Sequence, residues 1–512
     1  MPRMSTKIAV DARISISYQH LRKSTVPKLL RVTHDFSAPG GFLEGVVIAM
    51  SNGADGKVMC NVKLDALPDH TFVFPGTTLK EEEGSSTSGS EDEAEEAEAE
   101  MIYMTITWIR SQVMVDTRNV NPSYPSEKAE FKLPNYLSAS PAEYFLFFLP
   151  MDYIRDVVVP NINTHATSVS ELWINVTFLE YMTWMALLMT MTAMVHIDKR
   201  DYWHKGSNPL FYPNINFSDY MDMDRFFKIL KYHVFELFDA ERKLADPLYQ
   251  IRGFLSAFNE TLSKALVPGK YLCIDESMNQ WLGSGMPNVK KVPRKPHPIG
   301  QEFKTLADNH TYCILQLDTV SDKFLKEFDN EDRNLVATVK RLWKPWFRTG
   351  RTIIADSWFG SPEMTTKLLE QGLYSIMQVT KKAYWPRGKP AGESDVMRCL
   401  GSERGSFVSL AQRDEYGRVI FVCSYKDRKA KALISSCSTT TLCTRKDDRS
   451  APPRPQVFEE YEVNKSSVDT NNNRRDDMIS FHDVMKSYRW ENRFLAFVFG
   501  IAEANAYSCF KI

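Results

Sequence analysis

Two aspartates that follow short apolar segments constrain the fold of this chain more than any other feature. Asp275 follows the apolar run that ends at Ile274, and Asp356 follows a similar run that ends at Ala355. Short apolar or β-branched runs of this kind predict buried strands. After Asp356 comes a helix-like segment, 362–371, and then another strand-like run. Strands followed by a strand-helix-strand unit predict a mixed α/β sheet, and we expect the two acids side by side on adjacent strands.

A third aspartate, Asp469, lies far downstream on a predicted loop or helix start. Two-metal phosphodiester chemistry needs several converging carboxylates. Mg²⁺ is usually held by one or two carboxylates together with substrate oxygens and waters. We therefore predict that Asp275, Asp356 and Asp469 are catalytic residues and ligands of Mg²⁺ or Mn²⁺. For each aspartate taken alone, the alternative is a residue that caps a turn or a helix.

A basic cluster follows the first acid and predicts contact with a phosphate backbone. It consists of Lys290, Lys291, Arg294 and Lys295. Phosphate contacts supply most non-specific affinity for DNA, although a solvated loop has the same composition. Trp490 is the tryptophan that we expect to stack on a DNA base, with a core position as the alternative.

Charge is distributed unevenly along the chain. Residues 81–100 contain ten acidic residues and no basic one. The rest of the chain therefore has 54 of the 64 acidic residues and all 63 basic residues, which gives it a net positive charge. A basic body fits a partner that is a polyanion. The acidic segment is too polar to offset its ordering entropy, which predicts a disordered linker.

The cysteines and the apolar segments indicate a reducing compartment and no membrane partner. The eight cysteines form no C-x-x-C pair, and the N-terminus lacks a secretory signal, so we expect free thiols. The longest apolar stretch, 181–195, is shorter than the roughly 20 residues that span a bilayer.

Segments with different periodicity predict the organisation of the chain. Residues 41–79 alternate β-like runs with turn residues, which predicts a small β module of the Tudor or SH3-like kind, or else a hairpin with no binding role. Residues 141–266 carry apolar residues at spacings of three and four, which predicts helices. Residues 381–458 are interpreted as an insertion between the second and third acids, and 478–512 as one or two amphipathic helices. Residues 1–40 show no clear periodicity.

Five motifs, taken in their order, resemble those of the piggyBac transposases. Around the first acid, the chain is similar to the family signature of an Asp-Glu pair, an aromatic-Gly turn, a Lys-Pro pair and a glycine. The second and third acids also resemble the family pattern in their contexts. The matching residues are Asp275, Glu276, Trp281, Gly283, Lys295, Pro296 and Gly300, then Asp356, Trp358 and Phe359, then Asp469 and Trp490, with Tyr202, Trp203, Arg225, Phe226, Phe258 and Asn259 upstream.

Composition and resemblance together predict an α+β multidomain protein. The resemblance implies an RNase H-like α/β catalytic core with a β-containing insertion and a discontinuous helical domain for dimerisation and DNA binding, beside the small N-terminal β module. The predicted boundaries are 1–40 unassigned, 41–79 β module, 80–101 acidic linker, 141–266 first helical part, 267–380 catalytic core, 381–458 insertion, 459–477 end of the core with the third acid, and 478–512 second helical part.

The resemblance implies a nuclear, homodimeric DNA transposase that acts on double-stranded DNA. Such an enzyme hydrolyses the DNA at the 3′ end of its element. The freed 3′-hydroxyl then attacks the opposite strand to form a hairpin, and later attacks target DNA at a short AT-rich tetranucleotide. We also expect contact with chromatin through the β module.

Departures from the family pattern favour an alternative, a domesticated protein that binds DNA or chromatin without chemistry. Glu302 stands where a lysine is common, and Asn472 stands where a fourth acid is often found. The chain ends at Ile512 without the C-terminal Cys/His module of the family, so we expect no zinc. A generic metal nuclease explains none of the flanking motifs.

Overall fold

A computed structural model describes six strands before residue 111 and most of the chain after residue 125. The described residues are 13–17, 42–52, 58–64, 71–75, 80–81, 109–110 and 126–511, apart from gaps at 195, 197, 205–214, 294, 323, 380–395, 414–415, 447–449, 478–480 and 486–488. The chain divides into two compact units, Met1–Glu96 and Ala97–Ile512.

The first unit contains an antiparallel five-stranded sheet. Its strands are β1 (Arg13–Ser17), β2 (Phe42–Asn52), β3 (Val58–Leu64), β4 (Thr71–Pro75) and β5 (Lys80–Glu81), in the order β4-β3-β2-β1-β5. Strands β2 to β4 lie in the predicted β module. Outside the predicted bounds, β1 pairs with β2 from Arg13 to Ser17, and β5 pairs with β1. Residues 82–100 of the predicted linker lie outside the described residues.

The second unit is built on a ten-stranded mixed sheet. Its strands are β6 (Ile109–Arg110), β9 (Tyr271–Gln280), β10 (Val289–Lys291), β11 (Ile299–Asp308), β12 (Ile314–Thr319), β13 (Thr352–Ala355), β14 (Tyr374–Val379), β15 (Phe407–Arg413), β16 (Val419–Lys426) and β17 (Ala430–Ser435). Two small sheets join β7 (Glu130–Phe131) to β8 (Leu266–Val267) and β18 (Leu442–Cys443) to β19 (Arg454–Pro455).

The order and direction of the central strands position the predicted acids. Along β12-β11-β9-β13-β14, the first two neighbouring pairs are antiparallel and the last two are parallel. Strands β17, β16 and β15 then extend the same sheet beyond β14 with antiparallel pairing. Three strands of the predicted insertion, residues 381–458, are therefore part of the central sheet, whereas β18 and β19 form a separate pair.

Helices cover this sheet and form the region between β7 and β8. They are α1 (Pro141–Phe147), α2 (Met151–Tyr153), α3 (Val159–Val169), α4 (Phe178–Ala193), α5 (Met223–Tyr232), α6 (Ala240–Ala245), α7 (Tyr249–Ala265), α8 (Asn334–Trp343), α9 (Pro362–Glu370), α10 (Gln456–Asn464), α11 (Ser467–Asp477), α12 (Phe481–Val484) and α13 (Trp490–Phe510). A π-helical turn, Ile154–Val158, joins α2 to α3. Short 3₁₀ turns lie at Tyr136–Ser138, Lys199–Trp203, Phe217–Asp219 and Lys344–Trp346.

Local sequence explains where several helices begin. Before α1, Ser140 accepts a hydrogen bond from the amide of Glu143, and the Glu143 carboxylate accepts one from the amide of Ser140. Ser361 accepts a hydrogen bond from the amide of Met364 and so caps α9. Such caps satisfy amides that the first helical turn leaves without partners.

The last helix packs against both the helical region and the sheet. The Phe494 ring lies 5.7 Å from Phe235 and 6.4 Å from Phe254, both in the helical region, and 6.0 Å from Phe303 of β11. Ala97–Ile512 forms one compact unit, so the predicted division into a core and a discontinuous helical domain stays a prediction. In the part of the chain that the structure describes, no helix is long and apolar enough to cross a membrane.

The upstream motif residues hold the helical region together. Arg225 forms a two-pronged ion pair with Glu180. The indole of Trp203 donates a hydrogen bond to the carbonyl of Met221. The amide side chain of Asn259 both accepts from and donates to the backbone of Leu317 and so attaches α7 to β12. These contacts give Trp203, Arg225 and Asn259 structural roles.

We expect stability to fall as the pH drops, because His233 is fully buried. Burial, with a smaller contribution from Arg489, lowers the pKa of His233 to about 3, whereas an unfolded histidine has a pKa near 6.5. Protonation therefore favours the unfolded chain below pH 6.5, and this group alone costs about 2 kcal/mol between pH 6.5 and 5. Urea unfolding at both pH values checks the loss, and His233→Gln should show a smaller pH dependence. An equal pH dependence in the variant would contradict the assignment.

Candidate active site

The candidate site lies where β13 ends beside β9. Strand β13 pairs with β9 only from Tyr271 to Ile274, whereas β11 accompanies β9 as far as Gln280. Asp356 directly follows Ala355, which faces Ile274 in the parallel register. Asp275 and Asp356 are therefore the next residues on two adjacent strands, as expected, and the edge of β9 is open beyond them.

Asp469 approaches this edge from α11. It is the third residue of that helix, which docks on β9 through Asn472. The Asn472 side chain accepts a hydrogen bond from the Ser277 hydroxyl at 2.8 Å and donates one to the Glu276 carbonyl at 3.1 Å. A carboxylate at position 472 could not donate the second bond, so the replacement of the fourth acid has a structural consequence here.

Lys295 lies among the acids. Its Nζ is 3.9 Å from Asp275 Oδ1, 3.8 Å from Asp469 Oδ1 and 3.5 Å from Glu276 Oε2. The Asp275 and Asp469 oxygens are therefore no farther apart than the sum of the first two distances. Lys295 was predicted to bind DNA phosphate, but here its ammonium group contacts three carboxylates.

A buried ion-pair network continues from Glu276 across the sheet. Lys304, which faces Glu276 on β11, places its Nζ 3.1 Å from Glu276 and 2.9 Å from Glu302. Lys290 lies 3.3 Å from Glu302. Strand alternation predicts that Glu276 points away from Asp275, yet the Lys295 ammonium reaches both. Glu276 therefore connects the acids to the network.

The aromatic residues of the second motif cover this network. The rings of Trp358 and Phe359 lie 5.4 and 5.3 Å from Lys304 Nζ, within the range of cation–π attraction. The amide of Trp358 also donates a hydrogen bond to the Asp356 carboxylate at 2.9 Å. The turn after Asp356 thus orients its carboxylate and shields Lys304 from water.

The two adjacent carboxyl groups have opposite pKa shifts. Burial raises the pKa of Asp275 well above its usual range, and the neighbouring Glu276 raises it further. Burial also raises the pKa of Glu276, but Lys304, a hydrogen bond from Asp275 and Lys295 outweigh it, so this pKa lies below its usual value. Burial lowers the pKa of Lys304, yet Glu276 and Glu302 raise it above its usual value. A cation that binds Asp275 favours the ionised form and lowers its pKa.

Tyr461 of α10 also faces the acids. Burial raises the pKa of its hydroxyl above the usual range, and the charges of Asp356 and Asp275 add to the effect. Neither Tyr461 nor Lys304 was predicted from sequence as a site residue. The sequence gives no clear signal for Lys304, because the same strand also contains Gln301, Glu302, Thr305 and Asp308, and the cross-strand partner depends on the register.

The remaining residues that were predicted to bind DNA differ in their exposure and in their contacts. Lys291 is exposed on the edge strand β10, Lys290 pairs with Glu302, and Arg294 lies outside the described residues. The Trp490 side chain is in the hydrophobic core, with 7% of its surface exposed. Stacking on a base would require this indole to leave the core.

The three predicted metal ligands fit a divalent cation by donor type but not by spacing. Carboxylate oxygens suit Mg²⁺ and Mn²⁺, and the acids already hold a cation, the Lys295 ammonium. Among the described residues, no group of three or more His, Cys, Asp or Glu side chains is arranged to hold a metal ion. The Lys295 ammonium, 3.9 and 3.8 Å from oxygens of Asp275 and Asp469, supplies the positive charge beside these two acids.

Comparisons with known proteins agree with the resemblance seen in the motifs. The family model described as transposase IS4 matches residues 140–507. Among solved structures, the fold is similar to that of a piggyBac transposase in a synaptic complex with hairpin DNA, determined by cryo-EM. The TM-score is 0.60 at 20% identity, over 75% of this chain and 77% of that chain. No curated protein matches the sequence significantly.

Proposed function

Because the chain belongs to the transposase IS4 family, we propose that it is a piggyBac-like DNA transposase that cuts and joins DNA in a metal-dependent reaction. One observation carries this proposal. Asp275 and Asp356 directly follow the last paired residues, Ile274 and Ala355, of the neighbouring parallel strands β9 and β13, and Asp469 shares the Lys295 ammonium with Asp275. The strand order β12-β11-β9-β13-β14 and its directions support the RNase H-like core that the resemblance implies.

The chemistry assigns a task to each part of the site. Asp275, Asp356 and Asp469 would hold Mg²⁺ or Mn²⁺. Bound metal stabilises the charge on the attacking and leaving oxygens of the phosphodiester. Hydrolysis adds water across the bond and leaves a 3′-hydroxyl and a 5′-phosphate, and that hydroxyl then exchanges one phosphodiester for another. The buried Lys304 keeps Glu276, and through it the strand that carries Asp275, in a fixed position.

Double-stranded DNA is the proposed partner. The solved piggyBac transposase with a similar fold is bound to hairpin DNA, and the exposed Lys291 lies on β10, the edge strand of the hairpin that carries Lys295. Contacts from lysine to phosphate release counterions, so affinity should fall steeply with salt. A homodimer, a nuclear location and contact with chromatin through the β module are further parts of this proposal.

Two observations favour a second candidate, a DNA-binding protein without chemistry. The Lys295 ammonium lies 3.9 and 3.8 Å from oxygens of Asp275 and Asp469, and Asn472 stands where the family often has an acid. A permanent ammonium at this place would keep metal out and leave binding intact.

Cleavage of DNA by the full chain tests the two candidates. Purified protein is incubated with supercoiled plasmid or a short duplex in Mg²⁺ or Mn²⁺, next to Asp356→Ala. We expect nicking that needs metal and disappears in the variant, while binding to the duplex is retained. Cleavage that persists in Asp356→Ala would show that the activity belongs to a different site or to a contaminating nuclease. Binding without cleavage in both proteins would favour the second candidate.

A further inference from the structure

We propose that Lys295 is a tethered counterion that couples metal binding to DNA binding: its ammonium holds the acids in the metal-free protein and moves to a DNA phosphate when metal enters. This inference rests on the proposed function. Lys295 contacts two of the predicted metal ligands and is not itself a ligand.

Lys295 lies on a loop that holds its backbone near the acids. The residue lies in the loop between β10 and β11, which is closed by hydrogen bonds from Val292 N to Pro298 O at 2.7 Å and from Lys295 N to Val292 O at 3.1 Å. Its backbone is therefore held near the acids, whereas the long side chain has rotational freedom. The side chain is 18% exposed, so its ammonium has a short path to solvent.

The positive charges of the Lys295 ammonium and of a bound metal ion would oppose each other. The ammonium lies 3.9 and 3.8 Å from oxygens of Asp275 and Asp469, whereas Mg²⁺ binds carboxylate oxygens at about 2.0–2.1 Å. A divalent cation bound to both oxygens would therefore lie within about 6 Å of the ammonium. Two cations this close repel each other in a partly buried site, so metal binding disfavours the present position of Lys295.

The surrounding ion pairs allow Lys295 to leave at low cost. Glu276, its third contact, keeps a second partner because Lys304 Nζ lies 3.1 Å from the same carboxylate. Asp275 and Asp469 exchange the ammonium for the metal. The movement therefore leaves none of these three carboxylates without a cation.

Displacement creates a linkage between the two ligands. In the metal-free protein the acids compete with DNA for the ammonium, and in the metal-bound protein the ammonium is available to a phosphate. Metal should then raise the affinity for DNA, and DNA should raise the affinity for metal by the same factor.

The test measures binding, with the full chain and three matched variants. Lys295→Met removes the ammonium, Lys295→Arg keeps a cation, and Lys290→Met removes a lysine of the same hairpin that pairs with Glu302 and not with the acids. Binding of Mn²⁺ alone is measured by calorimetry, and binding of a short duplex by fluorescence anisotropy with and without Mn²⁺. Circular dichroism in metal-free buffer checks that each variant is folded.

We expect Lys295→Met to bind Mn²⁺ about 5- to 150-fold more tightly than the unmodified chain, the usual range of coupling between two sites. Lys295→Arg and Lys290→Met should bind it as the unmodified chain does. The gain in DNA affinity that Mn²⁺ gives should be smaller in Lys295→Met. Unchanged or weaker Mn²⁺ binding by Lys295→Met would overturn the inference. If Lys295→Met does not fold, tighter Mn²⁺ binding by Lys295→Arg than by the unmodified chain would overturn it. If Lys295→Met binds Mn²⁺ more tightly as expected but the unmodified chain does not cleave DNA, the transposase proposal is rejected and the role of Lys295 stands.

Discussion

Replacing Lys304 with methionine is expected to lower the free energy of unfolding by about 3–5 kcal/mol, the cost of removing one partner from a buried ion pair. The side chain of Lys304 is 6% exposed and its Nζ lies between Glu276 and Glu302 at 3.1 and 2.9 Å. Methionine retains the length of the side chain and its packing against Trp358, but it leaves two buried carboxylates with less compensation. Urea unfolding followed by tryptophan fluorescence measures the loss.

A second lysine of the same network is the control for this change. Lys290 also pairs with Glu302, but its side chain is 24% exposed, so Lys290→Met should cost less than about 1 kcal/mol. Adding Glu302→Gln to Lys304→Met removes one of the two buried carboxylates that lose Lys304 and should recover part of the loss. A Lys304→Met protein as stable as Lys290→Met would show that the network contributes little to folding.

The second large effect is expected at Gly300, the glycine that closes the first motif. It faces Gln280 in the antiparallel register of β11 and β9. A Cβ at this position would lie 2.2 Å from the Asn279 carbonyl oxygen and 2.8 Å from its carbonyl carbon. Both atoms belong to the backbone, so Gly300→Ala must separate the strands and should cost about 3 kcal/mol or more.

The same unfolding measurement, joined to the metal assay, tests this expectation. Gly417 is a suitable control because a Cβ there meets no atom within 4 Å, and its φ of +76° is one that asparagine tolerates. Gly417→Asn should therefore cost less than about 1 kcal/mol. Since β9 carries Asp275, Gly300→Ala should also weaken Mn²⁺ binding. Equal stability of the two variants would mean that the strands adjust freely.

Much of the framework was predictable from local sequence. Apolar runs gave β13 and β14 nearly to their ends, and helix α9 was expected from its spacing and its following glycine. The adjacency of Asp275 and Asp356 followed because each comes directly after a predicted apolar run, although β9 continues past Asp275 to Gln280. The N-terminal β1 was missed although its five residues alternate polar and apolar side chains, because so short a run becomes a strand only by pairing with β2.

The sequence by itself determined the family, the apolar runs that the first two acids follow and the order of the motifs. These are local properties, since side-chain period and apolar content act within a few residues. Only the tertiary structure decided which charges meet. Lys304 faces Glu276 through the register of β9 and β11, and Lys295 reaches Asp275 and Asp469 through the fold of a loop and a helix that lie far apart in sequence. Electrostatic contacts depend on distance in space and on burial, and neither is encoded by the spacing of residues along the chain.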